Sequence, residues 1–131
     1  MRQEKRFKKR QLDFLYETLD YQLIQNGITS VVLIDLAGNI LTDVSNREHD
    51  FDLYSLAALT AGNFGAVTAL LDQIGEPELT LLFNQGQMLN IYFRKLFADY
   101  ILIAVFDKSI SLGFLRLKMD LLENLLEEAL M

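Results

Sequence analysis

Apolar residues at helical spacing open the chain. Leu12, Leu15, Tyr16, Leu19 and Leu23 recur at three- and four-residue intervals between about Lys5 and Asn26, and Gly27 follows as a stop signal. The pattern then changes period. Val31–Leu36 is a β-branched run of strand length, Ala37-Gly38-Asn39 has turn chemistry, and Ile40–Val44 is a second strand, so a hairpin is predicted. After a polar loop at 45–52, residues 53–71 carry no charge; a second helix is predicted from an Asp52 cap to Ile74, with Gly75 just beyond. Leu79–Asn84, Met88–Phe93 and Tyr100–Phe106 read as three further strands in a meander. Leu112, Leu115, Met119, Leu122 and Leu126 mark a last helix over about 111–130, with Ser109 or Ser111 as its cap.

The predicted order is α-β-β-α-β-β-β-α. Strands that arrive in hairpin-like runs favour one five-stranded antiparallel sheet covered by three helices, an α+β fold, over a doubly wound one. No repeat or linker interrupts residues 1–131, which suits a single domain.

Composition narrows the function. The chain has no cysteine and one histidine, which excludes disulfide scaffolds, thiolate metal sites and a histidine-rich metal centre. The formal net charge of −6 argues against nucleic-acid binding by the body. Six of the twelve cations lie in residues 1–10 (Arg2, Lys5, Arg6, Lys8, Lys9, Arg10), so six cations face seventeen acids over the rest, a formal −11. This basic arm reads either as a solvated first helical turn or as a contact for anionic lipid, nucleic acid or an acidic protein face. No secretory signal is legible. The uncharged stretch is long enough to span a bilayer, but Ser55, Thr60, Asn63, Thr68 and two glycines dilute it, so the expectation is a helix buried on most faces, no transmembrane segment and a cytoplasmic protein.

Catalytic patterns are sparse. His49 lies in a polar loop between Glu48 and Asp50; Gly62 and Gly65 belong to no phosphate loop; Ser109 and Ser111 have no base nearby in sequence. No cofactor, metal site or enzymatic activity is expected. The second helix carries more. Ala58, Gly62, Ala66 and Ala69 share a face, flanked by Ala57, Ala61 and Gly65, while Leu53, Leu56, Phe64, Val67, Leu71 and Ile74 supply bulk for the sheet. Two glycines here sacrifice about 1 kcal/mol each of helix propensity. The small face suits close approach of another backbone, either its own sheet or neighbouring helix, or another molecule. Strand residues such as Leu81 and Phe83 are apolar beyond what a half-solvated sheet needs, and the last helix has a second stripe at Phe114, Leu117, Leu121 and Leu125. A homodimer is expected, with Ala58, Gly62, Ala66, Ala69, Leu81 and Phe83 at the interface to a second copy or a partner.

Three strings, Val31–Leu41, Leu82–Tyr92 and Val105–Leu117, occur in order on this succession of elements. Together they resemble the Roadblock/dynein light chain family, in its bacterial MglB-like branch, over roughly residues 10–128. The resemblance implies a profilin-like fold and a homodimer built from paired central strands and the second helices. It also implies a regulator that binds a small Ras-like GTPase and, in this branch, stimulates GTP hydrolysis. By position, Asp35 and Gly38 would shape the first turn, Asn90, Ile91 and Tyr92 the central strand, and Phe106, Asp107, Gly113 and Arg116 the start of the last helix. The basic arm lies outside the resemblance. A non-catalytic dimerisation adaptor, tethering motor, signalling or membrane complexes, is the alternative. Arg47 is the single loop arginine beyond the arm, Arg94 ends a strand and Arg116 lies in a helix, so no arginine finger is expected; any stimulation would reposition the GTPase's own residues.

Overall fold

The computed structural model describes residues 7–46, 52–76 and 79–130. Helix α1 (Lys9–Gln22) runs through a short 3₁₀ turn into strands β1 (Ser30–Asp35) and β2 (Ile40–Ser45). Helix α2 (Leu53–Gln73) follows, then β3 (Leu81–Gln85), β4 (Leu89–Leu96), β5 (Tyr100–Asp107) and α3 (Leu112–Leu130). The helix ends use local chemistry. Gly27 closes the first helical segment at φ 101°, a left-handed conformation that costs glycine little. The Asp52 carboxylate accepts from the Tyr54 and Ser55 amides at 2.9 and 3.3 Å, capping α2. At α3 the Ser111 hydroxyl accepts from the Phe114 amide at 3.1 Å, while Ser109 bonds to Asp107 instead.

All neighbouring strands are antiparallel, in the order β2-β1-β5-β4-β3. The most uniformly apolar strands take the middle: every residue from Val31 to Ile34 and from Ile101 to Phe106 is buried. The centre is therefore β5. Asn90, Ile91 and Tyr92 lie on β4, one place away, and the strand ending in exposed Asn84 and Gln85 becomes the edge.

Alternation along the strands makes two cores. Val31, Leu33, Tyr92, Leu102, Ala104 and Phe106 face α1 and α3, where Leu15, Leu19, Leu115, Met119 and Leu122 are buried. Val32, Ile34, Phe93, Ile101 and Ile103 face α2. Tyr16, part of the apolar stripe by its spacing, is exposed, because Leu15, Leu19 and Leu23 already fill the contact. Ile74 is exposed too; it lies past the last turn of α2 and reaches no strand.

Candidate interaction surface

Helix α2 packs alone on its side of the sheet. It buries Ala57, Thr60 and Phe64, with Leu53, Leu56, Ala61, Val67 and Leu71 half-buried beside them. Ala57, placed beside the small face by sequence, is sealed against the sheet. One helix lying on a sheet presents one stripe to it, so most of α2 stays open. In its most apolar window, of mean hydropathy 1.3, only 17% is buried, which corrects the expectation of a helix covered on most faces. Among the described residues α2 is also the one helix long and apolar enough to cross a membrane by length and composition.

The outward face has two kinds of surface. Ala58, Gly62, Ala66 and Ala69 are exposed, and a β-carbon at Gly62 or Gly65 would meet nothing within 4 Å. These small positions do not pack on their own sheet. Around them stand Tyr54, Leu59, Leu70 and Ile74, between 65% and 80% exposed.

Leu81 and Phe83 do not join this surface. They sit half-buried on the edge strand β3, on the α1/α3 side of the sheet, and Phe83 stacks on Phe106 at 6.2 Å. Leu82 points to the α2 side. The two sets of expected interface residues thus lie on opposite sides of the sheet.

The other singled-out residues are mostly tied locally. Asp35 accepts from the Ala37 and Asn39 amides at 3.0 and 2.9 Å and from the Asn39 side chain at 3.0 Å. Burial raises its pKa, but the bonds from Asn39, Ala37 and Gly38 outweigh it and hold the carboxyl below its ordinary range. Gly38 has φ 93°. Asn90 is buried, and its side-chain oxygen accepts from Lys108 Nζ at 2.7 Å; the same ammonium reaches the Gly86 carbonyl at 2.6 Å, clamping the β3–β4 turn to the β5–α3 loop. Tyr92 is fully buried, and Asp107 holds the Ser109 amide at 2.9 Å. At the start of α3, nothing lies within 4 Å of a β-carbon at Gly113, and Arg116 is exposed on the second turn.

Sequence reading misses Arg94. It lies inside β4 rather than at its end, and its guanidinium donates to Glu123 at 2.6 Å and approaches Asp120 at 2.7 Å on α3. Burial pulls its pKa down, and the two carboxylates more than restore it, so the cation is permanent. The partner lies 29 positions away, a separation no local motif reveals. Among the described residues no cluster of His, Asp or Glu could hold a metal ion. His49, Arg47 and residues 1–6 of the basic arm lie outside the described residues.

No family model matches the chain, and no curated protein is significantly similar in sequence. Solved structures are. The gliding protein MglB from Thermus thermophilus is 25% identical with a TM-score of 0.84, over 98% of this chain and 99% of that one. MglB of Myxococcus xanthus is 26% identical with a TM-score of 0.82, over 92% and 90%. An MglB solved in a tetrameric arrangement is 26% identical with a TM-score of 0.84, over 99% and 100%. At fold level alone, a Roadblock/LC7 domain from Streptomyces avermitilis and profilin II of Acanthamoeba castellanii align with TM-scores of 0.70 and 0.61. With its three helices and profilin-like antiparallel sheet, the chain is similar over nearly its whole length to the MglB structures, and in fold to a Roadblock/LC7 domain.

Proposed function

We propose that this chain is a cytoplasmic homodimeric regulator that binds a small Ras-like GTPase and carries no catalytic residues of its own. The outward face of α2 supports this reading most directly. Burying one leucine-sized side chain is worth about 1.5–3 kcal/mol, so exposed Leu59, Leu70 and Ile74 favour a covering partner. The small residues between them let a second backbone come close. The unpaired β3 edge borders the sheet on the same molecule, and an apolar edge is best paired. Two copies with α2 beside α2 would bury part of the apolar surface and leave the remainder as a platform for the GTPase. The tetrameric arrangement of one similar MglB supports self-association.

Two measurements test this. Light scattering at micromolar concentration is expected to give about twice the 15.0 kDa chain mass; a strict monomer removes the shared interface. Pull-down with Ras-like GTPases loaded with GDP or a non-hydrolysable GTP analogue is expected to retain one nucleotide form selectively. A dimer that retains neither would favour the adaptor reading.

A further inference from the structure

Charge in this chain is concentrated around one helix. Residues 43–78 hold seven acids and one arginine, a formal −6, which is the net charge of the whole chain; everywhere else acids and cations balance at eleven each. Within that segment α2 is uncharged until Asp72, so the acids stand at its two ends. Asp43, Glu48, Asp50 and Asp52 precede the helix, and Asp72, Glu76 and Glu78 close it, with Asp52 and Asp72 about 30 Å apart at 1.5 Å per helical residue.

The two ends are not equivalent. Asp52 is committed to capping: its carboxylate accepts from the Tyr54 and Ser55 amides, where the helix dipole is positive. Asp72 and Glu76 sit where the dipole is negative, are exposed, and have no ion pair among the described residues. Their carboxylates add to the negative pole, and no basic residue in the last turn offsets them. Lys95, the cation that strand alternation puts on this side of the sheet, is half-buried and already engaged. Ala69 and Asp72, three residues apart, are neighbours on the helix surface, so the small outward face runs directly into this charge.

We propose that the polypeptide covering the outward face of α2 carries lysine or arginine where it meets the C-terminal end of the helix, beside an otherwise apolar contact. The inference rests on the reading of α2 as a docking face and adds the chemistry of the partner. Asp72, Glu76 and the last carbonyls of α2 receive the cation, and the small face takes the apolar part. A second copy beside α2 brings its own acids and raises the charge instead of cancelling it. An anionic lipid surface is repelled for the same reason, although α2 is apolar and long enough to enter one. Complementary charge of this kind acts mostly on the rate of association and the choice of partner.

The test uses the isotope-labelled full chain and two synthetic amphipathic helices, identical in their alanine and leucine face and differing in whether lysine or glutamate flanks it. In amide NMR the lysine peptide is expected to shift the Ala66, Ala69 and Asp72 signals saturably, and the glutamate peptide to bind about tenfold more weakly or worse. The preference should shrink between about 0.01 M and about 1 M salt, as the screening length falls from about 30 to about 3 Å. Asp72→Asn with Glu76→Gln should remove most of it. Glu127→Gln with Glu128→Gln, which takes the same charge from the exposed end of α3, should leave it intact. Equal binding of the two peptides, no saturable shift on α2, or equal losses in the two double variants overturns the proposal. The nucleotide-selective pull-down fails or succeeds separately: a lysine preference with no GTPase retained would reject the GTPase and keep the basic partner.

Discussion

Gly38 in the first hairpin turn lies directly against Ala58 of α2: a β-carbon at position 38 would come within 3.3 Å of the Ala58 Cα. The turn needs glycine twice over, for its φ of 93° and for the helix backbone above it. Gly38→Ala is expected to lower stability by about 1–3 kcal/mol, the range for forcing a side chain into such backbone. Chemical denaturation checks this, and a variant as stable as the parent would show that turn and helix are not in firm contact.

Arg94 joins the sheet to the outer half of α3. Its side chain is 16% exposed, against 32% for Glu123 and 66% for Asp120, so the Glu123 bond is the better shielded from solvent. Glu123→Gln should therefore destabilise more than Asp120→Asn, and Arg94→Gln more than either, by about 1–3 kcal/mol. Double-mutant cycles across the two pairs supply the measurement. Larger coupling to Asp120 than to Glu123 would contradict it.

Asp35 sets part of the acid response. Because its pKa is depressed in the folded chain, the carboxylate stabilises the fold fully above the ordinary carboxylate range, and that contribution is lost as pH falls through the depressed value. Asp35→Asn should thus lower stability at neutral pH and flatten the decline below about pH 4, the ordinary range for Asp. Urea midpoints of both proteins, followed from neutral pH to well below the ordinary Asp range of about pH 4, would show it; parallel curves would remove Asp35 from the acid response.

On α2, Ala66 and Ala69 are exposed in the single chain, so an arginine at either position displaces no buried contact. GTPase affinity is expected to fall by at least about 1–3 kcal/mol, as when packed interface contacts are lost. Thermal stability and mass of the variants separate this from misfolding. Unchanged affinity with both arginines present would move the docking surface elsewhere.

Arg47 is expected to be dispensable for any GTPase stimulation, because no arginine finger is required if the GTPase's own residues are repositioned. Arg47→Ala that binds normally but stimulates no hydrolysis would refute that.

What sequence reveals here is what neighbours in sequence decide. The β1–β2 hairpin follows from Ala37-Gly38-Asn39, and the caps at Asp52 and Ser111 follow from side chains bonding amides two or three residues on. The strand order is not legible, because β1 finds β5 across the whole of α2 and the second hairpin. The Arg94 tie is hidden for the same reason. On α2 composition misleads: an uncharged helix suggests a covered one, whereas a single stripe through Ala57, Thr60 and Phe64 is all that one side of the sheet takes up. Arg116 looks structural by position, and only the tertiary placement of Arg94 between Asp120 and Glu123 shows which arginine is tied and which is not.

The pairing of β1 with β5 also sets a timetable. Ser30 meets Val105 and Asp35 meets Tyr100, so the strand that is paired on both edges in the finished molecule has β2 as its one strand neighbour until β5 is made. One backbone edge of Val31–Ile34 stays unpaired until the ribosome has released residue 107. Closing so long a stretch is slow, and exposed strand edges invite mispairing in the interval. Truncated products ending before Tyr100 should therefore collect in aggregates rather than persist as folded halves, and the translation rate through β4 and β5 should govern the yield of native protein more than the rate through α1.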